Sequence, residues 1–260
     1  MVRQPTAKIA LGAVGAALAV TACGADAGAT RTTGTAAGGA KVLPVGGAPV
    51  KLDPAELSTK IDNPYFPLTP GDRRVYRETG PDGTKGRVVV TVTNKTKRIA
   101  NGVTARVVRD TVSEAGKGVI EDTFDWYAQD KAGNVWYLGE DTKEYENGKV
   151  TSTAGSFEAG VDGAQPGVAM PGDPKVGLRY RQEYFKGEAE DAGEVFSLGE
   201  RVEVPFGSFD RVLMTKDTTP LQPKILEYKP YARNVGTVLA LGISGGSDRE
   251  ELVRFRRGRG

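Results

Sequence analysis

Histidine is absent from all 260 residues, and cysteine occurs once, as Cys23. That composition removes Ser-His-Asp and Cys-His catalysis, His-ligated zinc or copper, and imidazole acid–base steps. Carboxylate acid–base chemistry, Ser/Lys nucleophilic pairs and oxygen-ligated calcium remain. Carboxylates crowd one stretch: Glu121, Asp122, Asp125, Asp130, Glu140, Asp141, Glu158 and Asp162. Glu121 and Asp125 share a strand face four residues apart, roughly 13 Å at strand rise. That exceeds the roughly 6.5–9.5 Å of an inverting glycosidase pair. No segment has the spacing of an EF-hand loop, and Asp130-Lys131-Ala132-Gly133-Asn134 reads better as a turn. No motif marks a Ser/Lys site. A carboxylate-dependent hydrolase is thus the weaker class, no catalytic residue is assigned, and no cofactor or metal is expected.

The second chemical resource is aromatic. Tyr65, Phe66, Trp126, Tyr127, Trp136, Tyr137, Phe157 and Phe185 could line a ligand cavity, or simply be the core of a sheet. Either role needs strands to position them, and the chain is organised that way. Segments rich in β-branched and aromatic residues alternate with Gly, Asn, Asp and Pro turn signals from about Leu57 to Phe255. Helical periodicity is nearly absent. The expected fold is all-β, a strongly curved antiparallel sheet or partial β-barrel, built as one domain over residues 56–257.

One hairpin can be registered. A type I turn at Asp130–Asn134, with Gly133 left-handed, sets Gln129 opposite Val135, Ala128 opposite Trp136 and Trp126 opposite Leu138. Ile120, Phe124, Trp126, Ala128, Trp136 and Leu138 then share one face. Glu121, Asp125, Tyr127 and Tyr137 share the other. Asp122 and Glu140 fall on the apolar face, with Arg109 of the preceding strand opposite or diagonal to Asp122. A carboxylate there must be partnered, either as a structural ion pair or as a polar spot that orients a ligand. The expected ligand site therefore combines Trp126, Trp136, Asp122, Glu140, Arg109 and Phe157. The Gly/Pro-rich stretch 151–177 reads as a lid over that site or as a packing cover.

The N-terminus has the parts of an export signal: basic Arg3 and Lys8, the uncharged apolar run Ile9–Val20, then small residues before Cys23. That run is shorter than the roughly 20 apolar residues of a membrane-spanning helix. Val20-Thr21-Ala22-Cys23 resembles the lipobox of bacterial lipoproteins. The resemblance implies a signal peptide over 1–22, acylation of Cys23 with diacylglycerol and a further fatty acid such as palmitate, and anchoring on the extracytoplasmic side of the cell membrane. Two or three acyl chains suffice for stable anchoring. Acylation also takes Cys23 out of thiol chemistry, and a lone cysteine permits no internal disulfide. Residues 23–55, rich in Ala, Gly and Thr, read as a flexible linker.

The full chain has 35 Lys+Arg and 33 Asp+Glu; without Arg3 and Lys8 the two are equal at 33. Such balance gives no support for nucleic-acid binding. A basic tip remains at Arg254, Arg256, Arg257 and Arg259. Two further stretches carry a resemblance. Asp62-Asn63-Pro64-Tyr65-Phe66-Pro67-Leu68-Thr69-Pro70-Gly71, leading to Tyr76, is one. The other comprises Val202–Phe209 and Glu227-Tyr228-Lys229-Pro230-Tyr231-Ala232-Arg233-Asn234-Val235-Gly236. Together they resemble the opening and closing hairpins of a group of uncharacterised exported antiparallel-β proteins. Arg233-Asn234 stands where that group more often has Pro-Gly. The resemblance implies a secreted sheet fold and no catalytic residue. Two functions follow as expectations: binding of a small apolar or amphipathic ligand, or a structural, protein-interacting role in the cell envelope.

Overall fold

The computed structural model describes residues 42–259. The expected signal peptide and Cys23 lie outside the described residues. Among the described residues, sixteen strands form one antiparallel sheet. They are β1 (Leu57–Ser58), β2 (Arg73–Thr79), β3 (Lys85–Arg98), β4 (Thr104–Glu114), β5 (Gly118–Asp130) and β6 (Val135–Glu146). Next come β7 (Lys149–Ser152), β8 (Phe157–Glu158), β9 (Gly167–Met170), β10 (Arg179–Arg181) and β11 (Ala192–Val204). The last are β12 (Gly207–Thr218), β13 (Leu226–Ala232), β14 (Gly236–Thr237), β15 (Leu239–Ser244) and β16 (Arg249–Arg256). The main path runs β10-β11-β12-β13-β15-β16-β2-β3-β4-β5-β6-β7 and does not close. Its terminal strands, β10 and β7, are short, which limits the unpaired backbone that an open sheet presents.

The sheet curls back on itself. Between β13 and β5 the path takes six strand steps, about 29 Å at ordinary strand spacing. Yet the Phe66 ring lies 5.4 Å from Tyr127 on β5 and 6.4 Å from Tyr231 on β13. Only strong curvature brings both within reach of one side chain. The core inside that curve is continuous from Tyr76 and Val90 through Tyr127 and Tyr137 to Leu213 and Tyr231.

Turn chemistry explains the hairpins. At Asp130–Asn134 the Asp130 N–H donates to Asn134 O at 3.0 Å, and Gly133 has φ +86°. This is the type I turn with a bulge read from the sequence, and Gln129↔Val135 and Ala128↔Trp136 pair as expected. Asn147-Gly148, both at positive φ, join β6 to β7 in two residues.

Residues 42–55, read from composition as part of the linker, lie against the body. Leu43 is buried, and Pro44 O accepts from the Arg181 N–H at 2.8 Å. The Arg181 guanidinium, itself buried, donates to Gly46 O, Ala48 O and Pro166 O at 2.7, 2.6 and 3.0 Å. Backbone carbonyls thus take up the Nε and Nη1 donors of this buried cation, and the contacts fix this segment to the insertion beyond β7. The folded body therefore begins before the expected boundary at residue 56. The 151–177 stretch is likewise built in: β8 and β9 pair with β6, and Phe157, Val168 and Met170 are buried.

Candidate functional site

The six residues grouped from the sequence occupy three places. Arg109 and Asp122 form a bidentate pair, at 2.7 and 2.9 Å, on the outer face of β4 and β5. Trp126 and Trp136 also face outward but are covered: Lys97 Nζ sits 3.8 Å from the Trp126 ring centre, and Trp136 Nε1 donates to Asp130 Oδ2 at 2.9 Å. Glu140 and Phe157 lie on the opposite, inner face. The Phe157 ring meets Tyr137 edge-on at 5.7 Å.

One residue causes that division. Pairing across β5 and β6 shifts between Asp125 and Tyr127, so Tyr127 faces Tyr137 while Asp125 faces Glu140. Gly139 stands in the extra position at φ +123°, where a Cβ would fall 2.1 Å from Phe157 O. The bulge turns Glu140 from the tryptophan face to the tyrosine face. A glycine inside a strand pattern was the available sign.

The inner face carries the chemistry. Asp125 and Glu140 are 1% and 2% exposed. The Tyr137 hydroxyl lies 2.9 Å from Asp125 Oδ1 and in hydrogen-bond contact with Glu140 Oε2. The Thr142 hydroxyl contacts Glu140 Oε1 at 3.2 Å and Thr123 Oγ1 at 2.9 Å. A phenol has one proton to donate, so it can bridge two carboxyl groups only if one of them is protonated and donates back. The electrostatics agree. Burial raises Asp125 to about 7, with Glu121 adding to the rise. Burial, followed by the charges of Asp125 and Glu183, pushes Glu140 well above the usual carboxylate range.

Next to this group lies a cavity lined by Phe66, Pro67, Leu68, Arg74, Tyr76, Val90, Val108, Asp125, Tyr127, Gly236 and Thr237. Its volume is about 30 Å³, room for two or three waters at roughly 10–15 Å³ each. Its walls are largely aromatic and aliphatic, its ionisable carboxyl and guanidinium groups are Asp125 and Arg74, and Thr237 adds a hydroxyl side chain. Arg74 is held by Val235 O, Pro67 O and Asp72 Oδ2 at 2.7, 2.8 and 3.3 Å. Three of the lining residues come from the Asn63–Leu68 entry. Asn63 fixes that entry by donating to Gly133 O and Pro171 O at 2.9 and 3.0 Å.

The two stretches that resemble exported β proteins meet at this cavity. Asn234 N–H donates to Pro64 O at 2.7 Å, and Arg233 stacks over the Tyr65 ring at 4.7 Å. Asn234 has φ +62°, so it takes the left-handed position that glycine fills more often.

A second buried charged group spans β12, β13 and the segment before β11. Lys229, 1% exposed, lies 3.2 Å from Asp217 Oδ2 and 3.1 Å from Glu227 Oε2. Burial alone would lower the Lys229 ammonium, but Glu227 and Asp217 outweigh it and hold it above its ordinary range. Burial raises Glu227 to about 7 and Asp191 to about 6 against the opposing pull of Lys229. Glu183, raised by burial and by Asp191, connects this group electrostatically to Asp125. Neither group is arranged for metal: among the described residues no three of His, Cys, Asp or Glu are placed to hold an ion.

Sequence reading missed Asp125, Lys229, Asp217 and Glu227 as interior residues. Alternation of charge along β13 ordinarily marks a solvated face, and only the curl of the sheet buries it.

No protein-family model matches the chain, and comparison with curated proteins finds no match. Among solved structures, a Bacteroides fragilis protein named as exported and with a YmcC-like fold is similar. It is 16% identical with a TM-score of 0.45, covering 74% of this chain and 99% of its own. A Parabacteroides distasonis protein named as a lipoprotein is 12% identical with a TM-score of 0.41, covering 74% of this chain and 98% of its own.

Proposed function

We propose that this chain is an exported, lipid-anchored binding protein whose curled sheet takes the apolar end of a small amphipathic molecule. The site is the cavity walled by Phe66, Tyr76 and Tyr127. One observation carries this reading: a largely apolar recess with a carboxyl group, Asp125, and a guanidinium, Arg74, at its wall. The resemblance of Val20–Cys23 to a lipobox supports the export and anchoring. The cavity volume is far below the roughly 300–1,000 Å³ of a drug-sized site. It therefore suits a methyl-terminated or short alkyl end, with the rest of the ligand outside. A carboxylate hydrolase would need both carboxyls open to one cleft, and of the bridged pair only Asp125 lines the cavity. The test is whether the purified domain carries a small molecule that a cavity-filling substitution at Val90 expels.

A further inference from the structure

The outer face of the sheet's middle strands is basic and uncovered. Cross-strand pairing puts Arg256, Arg73, Thr91 and Arg109 in one row, and Arg254, Val75, Val89 and Thr111 in the next. Glu251, Arg77, Arg87 and Ser113 form the third row. Opposite residues of an antiparallel ladder share a face, so six arginines of four adjacent strands point the same way. Arg77, Arg87, Arg109, Arg254 and Arg256 are exposed. Of the acids on these four strands, only Glu251 shares the face, and it is already engaged by Arg77 and Arg249 at 2.8 and 2.7 Å. Arg109 is neutralised by Asp122 of β5. Arg73, Arg87, Arg254 and Arg256 make no ion pair among the described residues.

With 33 acids and 33 bases after removal of Arg3 and Lys8, such a concentration is a local asymmetry rather than an effect of overall charge. Holding four unpaired guanidinium groups side by side costs repulsion, and a negatively charged surface relieves it. The pleated sheet spreads them over a broad face rather than in a groove, which matches a surface more than a single threaded polymer. Val75, buried in this array at 5% exposure, is covered by the surrounding side chains.

We propose that this face docks on an anionic lipid surface, holding the domain flat against the membrane in addition to any anchor at Cys23. The recognised chemistry is the lipid phosphate headgroup, read by guanidinium groups. The 18 residues between Cys23 and Val42 span at most about 65 Å when extended. That length lets an anchored domain turn this face to its own membrane.

The test uses a chain of residues 24–260, which retains the whole folded body and lacks Cys23, so binding cannot come from acylation. It is sedimented with phosphatidylcholine vesicles containing or lacking a quarter of phosphatidylglycerol. Binding only to the anionic vesicles is expected, weakening steeply between about 0.1 and 1 M salt as screening shortens. Arg73→Glu/Arg87→Glu/Arg254→Glu should weaken it by at least ~100-fold, at roughly five-fold per cation. The milder Arg→Gln triple should show a smaller loss while preserving the fold. Lys149→Glu/Lys175→Glu/Lys186→Glu changes the net charge equally on exposed sites elsewhere, and should change binding only a few-fold. Equal binding to both vesicles, equal loss in both Glu triples, or binding to soluble polyphosphate without binding to vesicles would each overturn the proposal.

Discussion

Tyr137 and Glu140, three positions apart on one strand, point to the same side of the sheet and share a hydrogen bond. Regular alternation would put them on opposite sides. Gly139 makes the difference, because the bulge it permits reverses the parity of everything after it. The same step brings Asp125 opposite Glu140 and so creates the bridged carboxyl pair beside the cavity.

Gly139→Ala should therefore be severe. The added Cβ would meet Phe157 O at 2.1 Å, in a backbone conformation that side chains rarely adopt. A loss of more than about 3 kcal/mol is expected by urea unfolding. A variant within about 1 kcal/mol of the parent would show that the bulge can relax without cost.

The buried carboxyls give the domain an inverted acid response. Asp125 and Glu227 are raised to about 7 and Asp191 to about 6, with Glu140 and Glu183 also raised. In the unfolded chain these groups titrate near 4. Between about pH 4 and 7 the folded state thus binds more protons than the unfolded state, and stability falls as pH rises. Each such proton contributes a slope of at most about 1.4 kcal/mol per pH unit. Asp62 and Glu251 are shifted down, an opposing effect, but they act below the usual carboxylate range and do not reverse the slope. Urea midpoints from pH 4 to 8 should decline, and Glu140→Gln should flatten the decline. A midpoint rising across that range would contradict the assignment.

Lys229 is the cation of the second interior group. Lys229→Met leaves Asp217 and Glu227 buried beside each other without it. The expected cost at pH 7 is about 3–5 kcal/mol. It should shrink at pH 4–5, where the raised carboxyl of Glu227 takes up a proton. The triple Lys229→Met/Asp217→Asn/Glu227→Gln should recover much of the loss at neutral pH. A pH-independent cost in the single variant would point to packing instead of charge.

The features legible in the sequence were the local ones. Turn residues at Asp130–Asn134 placed Gln129 and Ala128 correctly, and the separation of the Trp126/Trp136 face from the Asp125/Tyr127/Tyr137 face survives in the structure. The side that becomes the interior was not legible. Trp126 and Trp136 are the larger apolar groups, but Lys97 and Asp130 serve to cover them on the outside, while Phe66 reaches in from a distant entry segment to fill the tyrosine side. The Arg109–Asp122 contact could be anticipated from cross-strand register. Its place at the surface could not, because exposure follows from the curl of the whole sheet. Interior charges such as Lys229 and Asp217 are invisible to periodicity for the same reason: partners on different strands neutralise them after folding.

Binding in the Phe66–Tyr127 cavity is tested most directly by native mass spectrometry of residues 24–260, purified without detergent, beside the Val90→Phe variant. Val90 lines the cavity, and the larger ring should fill it at a stability cost of about 1–3 kcal/mol. The expected result is a small apolar or amphipathic mass retained by the parent and lost from Val90→Phe, while the variant remains folded. A parent that flies bare, and stays bare after incubation with short-chain fatty acids and alcohols, would contradict binding. Equal retention of the same mass by folded Val90→Phe would place the ligand elsewhere.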